Sequence, residues 1–402
     1  MIGKTAHQHG CDAYLVGGPV RDLFLRKKNL DIDIVVEGSA LVLAKVLARQ
    51  HRAKVTIHPR FGTASVLFAD GNKIDLATAR KESYPHPGAL PVVRDGNIRE
   101  DLLRRDFSIN TLAAALSPSR WGALIDICGG REDLKSKRVR VLHEQSFVDD
   151  PTRILRAVRF EQRLGFRMAP KTLFLLKKAI QDGAFKNIKP PRCFEEFKKV
   201  LKEQNPQKYL RRLSCLRALD FIENGFTMDA AQLAALPRIE KYSREFGRQF
   251  KGERPFCLWL PYFLAMVECF SEDKVKMLCD RFQVSNLERK TILSVLKSEH
   301  ILKGLSVKKI SPSAVYKILK PLSYEVIVFL EAKASKPALK RIKNFLIKYD
   351  MQKLAINGRD LQAIGIPPGK QVGEILGALL LAKIDGQPGG RQSELKQAKK
   401  IW

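Results

Sequence analysis

Nothing in the 402-residue chain reads as an apolar run long enough to cross a bilayer, and Met1–Gly10 lacks the layout of a secretory signal. The expectation is therefore no membrane partner. Cysteine is sparse and scattered: Cys11, Cys128, Cys193, Cys215, Cys257, Cys269 and Cys279 are odd in number and form no CxxC pair. That excludes a disulfide framework or zinc knuckle and suits a reducing cytoplasm. His7 and His9 lie near the terminus, and the other histidines show no ligand spacing. No GxGxxG sits in a βαβ setting, and Gly3-Lys4-Thr5 lacks the upstream glycine and strand of a phosphate-binding loop. No internal repeat or low-complexity tract is visible. Disorder is excluded as well, because 45% of the residues are hydrophobic and 28% charged.

Acidic residues are also in short supply. There are 42 of them against 72 Lys and Arg, a formal net charge of +30. Met1–Val139 holds 22 basic and 15 acidic residues, so the remainder carries a surplus of 23 positive charges. Such a balance points to a polyanion held through phosphate neutralisation. By itself it leaves a membrane surface or ribosome association open.

The first 140 residues or so read as mixed α/β. Asp12–Val16 is a strand entering Gly17-Gly18, and Val20–Arg26 is the helix after that turn. Asp31–Val36 is the next strand and Ala40–His51 an amphipathic helix. Thr63–Phe68 and Lys73–Ala77 are joined by Asp70-Gly71, a hairpin signal. Tyr84–Asp95 reads as a Pro- and Gly-rich loop, and a helix is expected to carry Arg104–Ala115. From about Ser146 the spacing is helical almost throughout: Asp150–Leu164, Pro170–Gln181, Arg192–Glu203 and Asn205–Leu219. Near the end, Ile364–Gly369 is a turn opening onto a helix from about Lys370.

The chemistry is concentrated in three places. In Leu30-Asp31-Ile32-Asp33-Ile34-Val35-Val36, strand alternation puts Asp31 and Asp33 on one face and Ile32 and Ile34 on the other. Two adjacent carboxylates repel unless neutralised, and oxygen ligands at this density suit Mg²⁺ shared with substrate phosphates. Two such ions about 4 Å apart can activate a hydroxyl and stabilise leaving pyrophosphate. An isolated DxD is more often the polar face of an amphipathic strand. Here Gly17-Gly18-Pro19-Val20-Arg21-Asp22 lies just upstream, between a strand and a helix. Its glycines let backbone N–H groups approach a phosphate, and Arg21 adds a fixed positive charge.

The third place is a helix on which Asp150, Arg153, Arg156 and Arg159 recur every third residue. A solvated basic face is the bland reading of such a stripe. A rigidly held Asp and Arg can also imitate the pairing edge of a base. The carboxylate accepts from the amino group of C or A, and the guanidinium donates to a ring nitrogen or a keto oxygen.

Gly-Gly-x-Val-Arg-Asp followed by DxD resembles the first signature of class II tRNA nucleotidyltransferases and bacterial poly(A) polymerases. Arg104-Arg105-Asp106-Phe107-Ser108-Ile109-Asn110 is similar to their second signature. Asp149-Asp150-Pro151-Thr152-Arg153, running on to Leu164-Gly165-Phe166, is similar to their third. The resemblance covers about residues 10–205, with a weaker likeness at Asn357–Pro367. It departs at Pro19, at Ser108 for Thr and at Asp149 for Glu.

The resemblance implies an α+β chain: a polymerase-β-like nucleotidyltransferase head (1–139), then a helical neck (140–205), body (206–325) and tail (326–402), elongated as a whole. It implies an enzyme that adds nucleotides from CTP and ATP to the 3′ end of tRNA without a template. Gly17, Gly18, Arg21 and Arg105 would bind the nucleotide, and Asp31 and Asp33 would hold Mg²⁺. Asp75 would be a third catalytic carboxylate, unless it is an ordinary solvent-facing Asp on a strand. Asp150, Arg153, Arg156 and Arg159 would recognise the base, and the basic helical region would grip the tRNA acceptor arm. Glu195 and Glu196 would pack the neck. No His-Asp dipeptide occurs, which argues against the phosphohydrolase domain that some relatives append. Addition of CC only, of A only, or of poly(A) stays open within the class. Outside it stand a non-catalytic RNA-binding protein on the same scaffold, disfavoured by the intact carboxylates, and a small-molecule nucleotidyltransferase, disfavoured by the stripe and the basic C-terminal region.

Overall fold

A computed structural model describes residues 1–28, 31–250 and 254–402. Leu30, which opens the paired-aspartate motif, lies outside the described residues. The chain divides into two compact units, one of residues 1–203 with 208–227 and the other of 204–207 with 228–402.

The first unit begins with nine strands: β1 (Asp12–Val16), β2 (Ile32–Glu37), β3 (Lys54–His58), β4 (Thr63–Leu67), β5 (Lys73–Thr78), β6 (Arg80–Ser83), β7 (Val92–Asp95), β8 (Leu112–Ala115) and β9 (Leu124–Asp126). Seven of them form one sheet in the order β3-β4-β5-β2-β1-β8-β9. Only β2 and β5 run parallel within it. Alternation sorts the side chains by face. Ile34, Val36, Ile74 and Leu76 pack with Leu43 and Leu47 of the helix Ala40–Gln50. Val35, Tyr14 and Val16 pack on the opposite face with Ile98 and Leu102 of the helix Ile98–Leu103. Asp33 shares the face of Val35 by alternation, opposite Ile34 and Val36.

Two expectations from the sequence fail here. Arg104–Ala115 is not a helix: Ile98–Leu103 is helical, Ser108–Asn110 is a single 3₁₀ turn, and Leu112–Ala115 is strand β8 between β1 and β9. The alanine-rich run favours a helix by propensity, but its small side chains fit beneath neighbours in the middle of a sheet, and tertiary pairing prevails. Within the expected loop Tyr84–Asp95, Val92–Asp95 is strand β7 and pairs with β6, leaving a shorter loop between them. Strands β3 and β9 were not anticipated.

Beyond these strands the first unit is mainly helical, with Thr152–Leu164, Pro170–Gln181 and Pro190–Leu201 as its main rods and a short parallel pairing of Arg138–Val139 with Arg167–Met168. Phe197 and Phe221 meet at 5.1 Å between ring centroids, and Phe185 joins Phe221 at 5.5 Å. In the second unit, the helices Leu260–Val267 and Tyr324–Lys333 are buried on every side. The helix Ala230–Gln249 carries Pro237 within it and starts with a capping box on Asp229. Ile366, Leu361, Ile375, Leu379 and Ala398 form a separate small core near the end of the chain. The turn before the helix Lys370–Ile384 falls where the sequence placed it. Among the described residues no helix is long and apolar enough to cross a membrane.

Candidate active site

One cleft of about 860 Å³ in the first unit gathers ten of the eleven residues singled out from the sequence: Gly17, Gly18, Arg21, Asp31, Asp33, Arg105, Asp150, Arg153, Arg156 and Arg159. The eleventh, Asp75, lines a neighbouring hollow instead.

Gly17 makes the sharp exit from β1. Its φ of +70° is a conformation that side chains rarely adopt, and a Cβ there would lie 2.7 Å from Arg105 Nη1. The backbone therefore runs against the guanidinium with no room between them, and the helix Gly18–Phe24 starts at the cleft. Arg21, only 5% exposed, donates through Nε to Asp22 Oδ1 at 2.8 Å and through Nη1 to Asn110 Oδ1 at 2.8 Å. Its guanidinium also lies 5.4 Å from the centre of the Phe160 ring. Arg105 donates to Asp101 Oδ2 at 2.8 Å and shares that carboxylate with Arg104. Asp101 is completely buried, so both arginines are fixed from beneath.

Asp33 stands in register with Asp75 on the parallel neighbour β5. Enclosure by the cleft walls raises its pKa, and the Asp75 and Asp31 carboxylates push the same way against Arg105. Negative charge is thus crowded at the point where a cation would relieve it. Asp75 is committed elsewhere: Lys73 Nζ donates to it at 2.8 Å and Ser65 Oγ donates to its other oxygen. Burial would raise the Asp75 pKa, but those two donors hold it below the ordinary value. Among the described residues no cluster of three or more His, Cys, Asp or Glu is close enough to hold a metal unaided. A divalent ion held by Asp31 and Asp33 would have to complete its shell with oxygens from elsewhere, such as phosphate and water.

The stripe of Asp150, Arg153, Arg156 and Arg159 is held from several sides. Asp150 lies just ahead of the helix Thr152–Leu164, where its Oδ1 accepts from Thr152 N at 3.1 Å and Thr152 Oγ1 at 2.6 Å. Its Oδ2 accepts from Arg192 Nη2 at 2.8 Å. Arg153, 4% exposed, donates to Ser146 Oγ at 2.7 Å and to the Arg104 carbonyl at 3.1 Å. Arg156 grips Asp106 Oδ2 with two donors at 2.8 and 2.6 Å. Asp106 also accepts from Asn110 Nδ2 at 3.0 Å. Burial would raise the Asp106 pKa, but Arg156, Asn110 and Arg153 more than offset it and hold it below the carboxylate norm. Arg159 pairs with Glu203 at 2.9 Å, and Glu196 lies 3.6 Å from Arg159 and 3.7 Å from Arg156. Asp149 faces His143 at 3.8 Å, away from the cleft.

Several of these anchors escaped sequence reasoning. Asp101 could have been found, since it precedes Arg104 and Arg105 by three and four positions on a helix. Arg192 had no local signal, because its partner is 42 positions away.

Asp31 just ahead of a central strand and Asp33 on it, a glycine turn at a helix start, and a rigid Asp–Arg pair share one cleft on a mixed α/β head. A family model for the poly(A) polymerase head domain matches residues 13–140. Models for the probable RNA and SrmB binding site of polymerase A and for tRNA nucleotidyltransferase domain 2 match 165–224 and 259–391. The chain is 36% identical over its whole length to an A-adding tRNA nucleotidyltransferase of Geobacter sulfurreducens, of which it spans 46%. It is 31% identical, again over its whole length, to an A-adding tRNA nucleotidyltransferase of Halalkalibacterium halodurans, of which it spans 91%. The solved structure of the Thermotoga maritima CCA-adding enzyme complexed with tRNA superimposes with a TM-score of 0.77 at 35% identity, covering all of this chain and 93% of that one. The chain belongs to the tRNA nucleotidyltransferase family.

Proposed function

We propose that the protein adds nucleotides from CTP and ATP to the 3′ end of tRNA without a nucleic-acid template, building or repairing its CCA terminus. The observation that carries this reading is the single cleft in which Asp31, Asp33 and the Gly17-Gly18 turn face Asp150 and Arg153. In the transfer the terminal 3′-oxygen of the acceptor bonds to the α-phosphorus, the bond from that phosphorus to the bridging oxygen breaks, and pyrophosphate leaves. The hydroxyl proton is released to water.

Gly17, Gly18, Arg21 and Arg105 form the triphosphate end of the cleft. Asp31 and Asp33 would hold Mg²⁺, which would supply neutralisation of the phosphates and a lowered pKa for the attacking hydroxyl. Asp150 and Arg153 read the base edge: the carboxylate accepts from the amino group that C and A share, and U and G present a keto oxygen there. Arg156 and Arg159 steady the helix and line the same wall. The division into head (1–139), neck (140–205), body (206–325) and tail (326–402) gives chemistry to the head, selection to the neck, and the acceptor arm to the basic helical regions. The absence of any disulfide among the described residues fits an enzyme of the cytoplasm.

A second reading, addition of the terminal A alone, is favoured by the A-adding relatives from Geobacter and Halalkalibacterium. Incorporation of labelled CTP and ATP into tRNA lacking CCA, tRNA lacking only A, and an unrelated oligo-RNA tests both. C, C and A followed by a stop supports the main reading. A alone supports the second, and no addition to any substrate refutes both.

A further inference from the structure

Asp33 belongs to two cavities. Besides the large cleft it lines a hollow of about 330 Å³, and the two meet at Asp33, Arg104 and Arg105. The floor of the hollow follows from the sheet register. Asp33 lies opposite Asp75 and Asp75 opposite Ser65, and the next row is Val35, Ala77 and Thr63. Ser65 gives its only hydroxyl proton to Asp75, whose other oxygen is taken by Lys73. The serine oxygen is thereby left with lone pairs alone, an acceptor on the wall of the hollow.

A nucleotidyl transfer brings its two substrates to opposite sides of the carboxylates that hold the metal. The donor triphosphate belongs with the glycine turn in the large cleft, so the nucleophile must reach Asp33 from the other side. The hollow is there, and its volume suits a nucleoside, near the lower end of ordinary ligand sites, roughly 300 Å³. Its lining is chemically asymmetric: carboxylates beside the Arg104 and Arg105 guanidinium groups at one end, small and apolar Val35 and Ala77 along the floor, and on β4 the hydroxyls of Thr63 and Ser65, of which Ser65 has its proton committed to Asp75. An acceptor of that kind calls for a donor, and a ribose terminus supplies one in its 2′-hydroxyl, which DNA lacks.

We propose that this hollow receives the 3′-terminal nucleoside of the acceptor RNA. Ser65 accepts a hydrogen bond from its 2′-hydroxyl and so selects a ribose terminus. Asp75 is then a positioning residue that acts through Ser65, in place of a third metal ligand. The inference rests on the nucleotidyl-transfer reading above.

The test uses the full chain, ATP, and tRNA lacking its terminal A, ending in either cytidine or 2′-deoxycytidine. For the wild type, the deoxy terminus should lower kcat/KM for the acceptor about tenfold, the worth of one hydrogen bond, with KM for ATP unmoved. Ser65→Ala should lose the same factor on the ribose terminus and become indifferent to the sugar, and Ser65→Thr should restore the preference. Should alanine disturb the strand, Ser65→Val against Ser65→Thr is the shape-matched comparison. Equal use of both termini by the wild type, or a preference that survives loss of the hydroxyl, overturns the proposal while the enzyme still works. A wild-type chain that extends neither acceptor strikes the nucleotidyl-transfer reading itself.

Discussion

Replacing Asp106 by Asn changes one atom and should loosen the cleft from its base. The carboxylate is buried and accepts from Phe107 N at 2.8 Å and Asn110 Nδ2 at 3.0 Å on one oxygen, and from Arg156 at 2.8 and 2.6 Å on the other. Every neighbour is a donor. An asparagine has one acceptor oxygen, so its amide group must point at other N–H groups whichever way it turns. Stranding one partner of a buried ion pair costs about 3–5 kcal/mol. Arg156 is 31% exposed and keeps Glu196 at 3.7 Å, which places the loss at the lower end, about 3 kcal/mol. For a unit of this size that is a fall of about 6–12 °C in Tm. The pH dependence carries a sign. The Asp106 pKa is depressed in the folded protein, so its stabilisation is present above the ordinary carboxylate pKa and lost as pH falls through the folded value. The wild type and Asp106→Asn should therefore differ most at neutral pH and converge on acidification below about pH 4. Calorimetric unfolding of the full chain between pH 3 and 7 measures this. A variant within about 1 kcal/mol of wild type at neutral pH would refute the argument, because that is the scale of an ordinary surface change.

Asp31→Ala and Asp33→Ala should each abolish incorporation while tRNA still binds in a gel-shift assay; activity retained in both removes the metal assignment. Arg192→Ala releases one oxygen of Asp150, so discrimination of C and A over U and G should fall by more than tRNA affinity does; unchanged discrimination in competition assays would mean that Thr152 alone suffices. Burial raises the Glu331 pKa to about 8 in the second unit, from 4.5. Its contribution is intact below the ordinary value and is lost as pH rises through 8, so Glu331→Gln should flatten the decline in stability from pH 5 to 8 by on the order of 3 kcal/mol. Parallel melting curves for the two proteins would contradict this.

The local order of the chain was legible because its signals are local. Asp33 and Val35 alternate with Ile34 and Val36 on a strand that begins just after Asp31, Gly17 stands where only a glycine turns easily, and the helices from Thr152 onward carry their apolar positions at helical spacing. Those motifs were enough to name the family and the residues of the cleft. Leu112–Ala115 misled, since a leucine followed by three alanines carries little information about whether its neighbours will be one turn away or on the next strand.

What the sequence by itself determined is which groups exist and which face of its own element each occupies, since both follow from chemistry and backbone period. Only the tertiary structure decided their partners. It set Asp75 beside Ser65 across a sheet, brought Arg192 to Asp150 over 42 positions, and buried Asp106 under Arg156. Such pairings depend on register and packing between distant segments, which no local pattern encodes.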